Sequence, residues 1–329
     1  MIISRTPYRI SFFGGGTDYP EWFRKEGGAV LSTTIDKYCY ITCRNLPPFF
    51  FTRHRIVWSE IELVSAIGEI KHPAIRECLK HYFGSDINGI EIHHQGDLPA
   101  RSGIGSSSSF AVGLIKALHA WKNRIINPHD NASEAIRLEQ SILKENVGCQ
   151  DQIAASYGGF NKIEFKKNGD FTVEPLICPP QRLIDLNSRL HLYFTGTTRI
   201  ASEIAGDIIS NVKSKKNHFQ RMREMVEEGA ALLCSDADLD NFGKLLDEAW
   251  YQKKFLSNLV SNSEIDEIYT SAKLNGALGG KLLGAGSSGF MIFYVPLENT
   301  QRFKDGMSSL LNIPFQFDNT GSVIMHHSR

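Results

Sequence analysis

Asp97-Leu98-Pro99-Ala100-Arg101-Ser102-Gly103-Ile104-Gly105-Ser106-Ser107-Ser108-Ser109 is the stretch from which the rest of the chain is best read. Two glycines let the backbone turn with its N–H groups facing inward. Four hydroxyls follow, and Ser106 to Trp121 is then apolar almost all the way round, as a buried helix is. The first amides of such a helix have no partner within it and carry the positive end of its dipole, so loop and helix tip together form an anion cradle. A serine-rich cap after a glycine turn has the same spacing, although one hydroxyl suffices to cap. A nucleotide-binding P-loop needs GxxxxGK followed by Ser or Thr, and no stretch fits.

Outward from the cradle, residues 1–13 read as extended and bend into a loop at Gly14-Gly15-Gly16, and Ala29 to Arg44 is a second extended stretch rich in β-branched and aromatic residues. His72 to Phe83 reads as a helix, with Pro73 at its first position and Gly84 just past its end. Gly89 to His94 alternates as a strand. Beyond the cradle helix, Asn131 to Glu145 reads as a helix with Asn131 and Glu134 spaced as a capping box. The proline-bearing stretch Asp170 to Leu190 marks a boundary between a domain of residues 1–180 and one of residues 181–329. Helices follow at about 199–228, 238–258 and 262–275, then strand, glycine loop and strand over Gly276 to Val295, and a final helix and strand. Strands first and helices later give an α+β class.

The length of 329 residues exceeds the size at which single cores stop growing, so two domains sharing a cleft are expected. Lys plus Arg equals Asp plus Glu at 36 each, which excludes the global basic field of a nucleic-acid binder. Any anion must therefore be held by a local device. The six cysteines contain no CxxC pair and suit reduced thiols, hence a cytoplasmic protein. No apolar stretch approaches the roughly 20 residues of a membrane span, and the first residues lack the pattern of a secretory leader.

Two further loops bear on function. Gly284-Ala285-Gly286-Ser287-Ser288-Gly289 matches GxGxxG, but the apolar run Phe290 to Val295 after it is of strand type, so the loop joins two strands and is no Rossmann turn. It is otherwise a wide hairpin. In Arg9 to Asp18 three consecutive glycines carry a large entropic cost, which points to something that needs the backbone close by. Asp18 beyond them suits sugar hydroxyls, or forms a turn. Glu139 lies between core-facing Leu138 and Ile142 and is either partly buried or a solvated helix glutamate. Asp151 is either chemical or an N-cap. There is no HExxH pattern, and metal sites of the His and Cys kind are not supported.

Together these loops resemble the GHMP small-molecule kinases, the family of galactokinase and of homoserine, mevalonate and phosphomevalonate kinases. Pro7-Tyr8-Arg9 through Gly14, with Thr17-Asp18-Tyr19, resembles the family's first motif; Pro99 to Ser109 resembles PxxxGLGSSAA with Ile104 for Leu; Lys281 to Phe290 resembles KxxGAGxGG with Ser288 for a Gly. More narrowly, Arg9 to Asp18, Gly27 to Tyr38, Ile70 to Leu79, Gln150 to Asn161, Tyr193 to Ala201 and Gly276 to Phe290 resemble the heptose 7-phosphate kinases of that family. Galactokinases carry Glu-His where this chain has Gly15-Gly16.

The resemblance implies a two-domain α+β fold, with an N-terminal domain like domain 2 of ribosomal protein S5 and a C-terminal ferredoxin-like α/β sandwich. It implies ATP on Gly103, Ile104, Gly105, Ser106, Ser107 and Ser108, and Mg²⁺ on Ser107 and Glu139. Asp151 and Arg9 would be catalytic, and Asp18, Gly14, Gly15, Gly16, Gly286, Ser287 and Arg199 would hold the substrate, with Thr197 as an alternative to Arg199. The expected partners are a sugar phosphate and ATP, with no nucleic acid or membrane, in a monomer or homodimer. The implied activity is transfer to the anomeric hydroxyl of a heptose 7-phosphate. The alternatives are another anomeric sugar kinase, such as one acting on fucose, and a non-catalytic sugar or nucleotide sensor on the same fold.

Overall fold

The computed structural model describes residues 1–84, 87, 89–196 and 201–328. The first extended segment becomes β1 (Ile2–Phe13), which pairs antiparallel with β2 (Gly28–Asn45) along nearly its whole length. Burial alternates over Ile2 to Arg5 and becomes continuous from Thr6 to Phe13, where helices lie against the strand. With β3 (His54–Val57), β4 (Ile61–Val64) and β5 (Ile90–Gly96), β6 (Phe160–Phe165) and β7 (Phe171–Pro175), these strands build the larger sheet. The smaller sheet is antiparallel, in the order β11 (Leu311–Ile313), β8 (Leu190–Phe194), β10 (Phe290–Tyr294), β9 (Gly279–Leu282).

The chain does not stay in the second sheet. Where the sequence reads one final strand, there are three, and the last two, β12 (Phe317–Asp318) and β13 (Val323–His327), return to the first sheet on β2 and β1. Such pairing joins positions some 300 residues apart, which no local pattern encodes.

The helices are α1 (Pro20–Glu26), α2 (Pro73–Phe83), α3 (Ser106–Trp121), α4 (Pro128–Ile136), α5 (Gln150–Tyr157), α6 (Pro180–Arg189), α7 (Ala201–Asn211), α8 (Lys216–Leu233), α9 (Asp240–Lys254), α10 (Ser263–Leu274) and α11 (Thr300–Gly306). Helix α3 has the bounds its sequence predicts. Its Gly113 lets it sit hard on β1, since a Cβ there would stand 2.7 Å from Thr6 Oγ1. The expected capping box at Asn131 is not the start of the next helix. Asn127 caps α4 by accepting from the Asp130 amide at 2.8 Å, Pro128 takes the first position, and Asn131 is buried inside the helix. From Arg137 to Ile142 the helix widens into a π-helical turn. The long helix expected near 199–228 is two helices, α7 and α8, with a turn between them.

Helices from the second half of the chain close over the first sheet. Phe242 of α9 meets Phe12 and Phe13 edge-on, with ring centroids 5.4 and 5.0 Å away, and Trp22 stacks on Phe219 of α8 at 5.0 Å. Gly229 of α8 lies against the same Phe13, and a Cβ there would be 2.5 Å from the ring. Alanine gains about 1 kcal/mol of helix propensity over glycine, but overpacking a fixed ring costs about 1–3 kcal/mol. We therefore predict that Gly229→Ala lowers unfolding free energy by about 1–2 kcal/mol. Gly68→Ala, where a Cβ meets open space, should stay within about 0.5 kcal/mol of the parent. Urea denaturation measures both, and a stabilised Gly229→Ala would refute this packing.

Candidate active site

Gly105 ends the cradle in the left-handed conformation (φ +74°), and α3 starts at Ser106 with no side chain capping it. The serine hydroxyls all go elsewhere. Ser106 Oγ accepts from the Arg101 amide at 3.0 Å, Ser107 and Ser108 donate to the two oxygens of Glu139 at 3.0 and 2.8 Å, and Ser109 donates to Pro7 O at 2.9 Å. The reading of this run as a helix cap therefore fails. Among the described residues no side chain takes the first amides of this largely buried helix.

Arg9 fastens the cradle to α5. Its Nε and Nη2 donate to Asp151 Oδ1 and Oδ2 at 2.7 Å each, Nη1 donates to Gly103 O at 2.7 Å, and its backbone amide donates to Ile104 O at 3.2 Å. A bidentate guanidinium–carboxylate fork fixes orientation as well as distance. Asp151 occupies the first turn of α5, and a Cβ on Gly105 would lie 3.3 Å from its Oδ2. The carboxylate and the helix tip are thus immediate neighbours.

The glycine run stands beside them. A Cβ on Gly14 (φ +81°) would be 2.0 Å from Ala29 O, so only glycine passes there. Asp18, 2% exposed, accepts from the Gly16 amide at 2.9 Å and the Gln150 amide at 3.3 Å. Its carboxyl is pushed upward by burial and then by the charge of Asp151. A Cβ at Gly15 would face Gln150 Nε2 and Ser11 Oγ, both at 3.7 Å. Among the described residues Ser11 Oγ and Gln150 Oε1 are buried without hydrogen-bond partners, which suits a hydroxyl-rich ligand.

Glu139 lies on the π-helical turn and is 1% exposed. Gln152 also donates to it, and burial pushes its carboxyl up to about 7. The third loop does join antiparallel strands, β9 and β10. It meets the cradle glycine on glycine: a Cβ on Gly284 would be 2.4 Å from Gly103 Cα, and one on Gly289 would be 2.2 Å from Ser102 O. Gly286 and Ser287 instead pack on the segment after α9, where the Ser287 amide donates to Val260 O at 2.8 Å and Asn262 Nδ2 to Ser287 O at 3.0 Å. Arg199 and Thr197 lie outside the described residues.

Sequence reading missed Ser11, Gln150, Gln152 and Lys253. Only Lys253 leaves a signal, as a cation on the apolar stripe Leu246, Ala249, Trp250 of α9.

A family model described as the GHMP kinases N terminal domain matches residues 69–159, and one described as GHMP kinases C terminal matches residues 221–306. The chain is 32% identical over 303 residues to D-glycero-alpha-D-manno-heptose 7-phosphate kinase of Campylobacter jejuni, with 89% of each chain covered. The chain belongs to the GHMP kinase family. It is accordingly an ATP-dependent kinase, and its two sheets with their helices are the two-domain fold of that family. A crystal structure of a D-glycero-D-manno-heptose 1-phosphate kinase from Bacteroides thetaiotaomicron superposes on this GHMP kinase with a TM-score of 0.82, at 23% identity and full coverage of both chains. At 24% identity the chain also matches a bifunctional fucokinase/GDP-fucose pyrophosphorylase of Arabidopsis thaliana, over 87% of this chain and 29% of that protein.

Because Glu139 titrates near 7 when folded and near 4.5 when not, the folded state holds the extra proton between those values. Stability of the ligand-free protein should therefore decline as pH rises from about 4.5 to 7, by roughly 3 kcal/mol. Glu139→Gln should remove that decline. Urea titrations of both proteins across pH 4.5–8 read it, and parallel curves would contradict it.

Proposed function

We propose that this kinase phosphorylates the anomeric C1 hydroxyl of D-glycero-D-manno-heptose 7-phosphate, giving the 1,7-bisphosphate, as a cytoplasmic step in nucleotide-activated heptose synthesis for bacterial surface polysaccharide. The observation that carries the chemistry is the uncapped tip of α3 beside Asp151. The choice of sugar is supported by the 32% identity to the Campylobacter jejuni heptose 7-phosphate kinase.

In this reading the ATP phosphates lie on the amides of Gly103 to Ser108, under the positive end of α3. Ser107 and Glu139 would hold Mg²⁺; they are hard oxygen donors side by side, 3.0 Å apart, which fits an ion that keeps several waters. That ion neutralises phosphate charge when bound. Asp18, the backbone of Gly14 to Gly16 and the unpartnered Ser11 and Gln150 hold the sugar. Asp151 orients the C1 hydroxyl and accepts its proton, and Arg9 holds that carboxylate and offsets charge on the moving phosphoryl group. The third loop closes the cleft through Gly284 and Gly289, which lie on Gly103 and Ser102 of the cradle. Transfer then depends on positioning and electrostatics rather than covalent chemistry.

A fucose kinase is the second reading, favoured by the match to the plant fucokinase. The two readings differ by a phosphate site. A phosphate site needs a free cation; Lys37 is engaged with Asp36 at 2.9 Å and Arg76 with Glu77 at 2.9 Å, while Arg101 is exposed beside the cradle.

Incubation with MgATP and heptose 7-phosphate, followed by phosphorus NMR, should yield a new anomeric phosphate. Unphosphorylated heptose, mannose and fucose should yield none, and a product with fucose alone would transfer the assignment to the second reading. Asp151→Asn should lower kcat by about 10² to 10⁴ with nucleotide affinity unchanged, and near-normal turnover would remove Asp151 from the mechanism.

A further inference from the structure

Two lysines lie where lysine is costly. Lys253 of α9 and Lys281 of β9 are 7% and 3% exposed, and among the described residues neither forms an ion pair with a carboxylate. Burial pushes Lys281 down to about 7 and Lys253 well below the lysine range, and the neighbouring cations Arg9 and, for Lys253, Lys281 add to it. Asp18 alone acts the other way, on Lys281. A methionine of similar length would fill either space without an unpaired polar head.

What the two amino groups touch is specific. Lys253 Nζ donates to Leu282 O at 2.8 Å and Gly284 O at 2.5 Å, so it grips the third glycine loop at the residue that lies against Gly103. Lys281 Nζ donates to Phe12 O at 2.8 Å, two residues before the glycine run that begins at Gly14. One lysine thus holds the loop that backs the nucleotide cradle, and the other holds the strand end that feeds the sugar loop. Without Lys253, the carbonyls of Leu282 and Gly284 regain partners in water only if the loop swings away from Gly103.

We propose that Lys253 and Lys281 are positioning residues for phosphoryl transfer, Lys253 seating the Gly284–Gly289 loop on the phosphate cradle and Lys281 seating the Gly14–Gly16 loop at the acceptor. The inference rests on the kinase reading above and adds two residues that act through the backbone carbonyls they hold. Displacement of a backing loop by about 1 Å is enough to cost on the order of 10² in rate.

The test is Lys253→Met and Lys281→Met, each studied as the full chain. Lys253→Met should lower kcat about 10- to 100-fold, with nucleotide Kd and acceptor KM held and the unfolding midpoint unchanged or higher. Hydrogen exchange over residues 283–289 should quicken in that variant and not in Lys281→Met. Lys281→Met should raise acceptor KM about tenfold and leave nucleotide Kd alone. A kcat within twofold of the parent for Lys253→Met, or unchanged exchange in the loop, overturns the proposal. So does a lowered unfolding midpoint in both Lys253→Met and Lys253→Gln, because the lysine would then be structural. If the parent phosphorylates none of the sugars, the substrate reading fails, and the exchange experiment still decides the role of Lys253.

Discussion

The fork of Arg9 is the interaction on which the rest of the site depends. One side chain on the first strand reaches Asp151 of α5 through two nitrogens and the carbonyl of Gly103 through the third, while its own amide holds Ile104. Strand, cradle and α5 are thereby registered to one another by an arginine that is 3% exposed, where charge-assisted hydrogen bonds are strong. The glycines around it follow from this crowding. Gly103 and Gly284 sit where a side chain would collide with a facing backbone, one at Gly105 would crowd Arg9 and Asp151, and each has a positive φ.

The second constraint is where the hydroxyls point. Four serines at a helix start would ordinarily satisfy its amides, and here Ser107 and Ser108 turn to Glu139 while Ser109 turns back to β1. That arrangement leaves a helix dipole unopposed at the cleft and a carboxyl held near neutrality by burial. Both are unfavourable for the empty protein. Both would be relieved by an anion at the helix tip with a cation beside Glu139, which is the arrangement the proposed function requires.

Much of this was legible in the sequence because it is local. The nearly all-round apolar character of Phe110 to Leu118 marked α3, and Pro73 and Gly84 bracket α2 where it stands. The strand character of Phe290 to Tyr294 excluded a Rossmann turn, as the antiparallel pairing of β9 and β10 bears out. What was not legible is either competing local chemistry or distance along the chain. Asn131 and Glu134 mimic a capping box, but Asn127 followed by Pro128 takes the cap four residues earlier, and the π-helical turn at Glu139 breaks the 3.6-residue period that would have placed it. The return of β12 and β13 to the first sheet, the destinations of the serine hydroxyls and the grip of Lys253 on Gly284 are long-range contacts that spacing does not carry.

The central claim is that the tip of α3 is an anion seat. Backbone amide spectra of nitrogen-15 labelled protein titrated with ATP test it most directly. The account predicts that the amides of Gly105 to Ser108 shift strongly and together, while those of α2, remote in role, stay in place. Saturable nucleotide binding that leaves those four amides unmoved would contradict it.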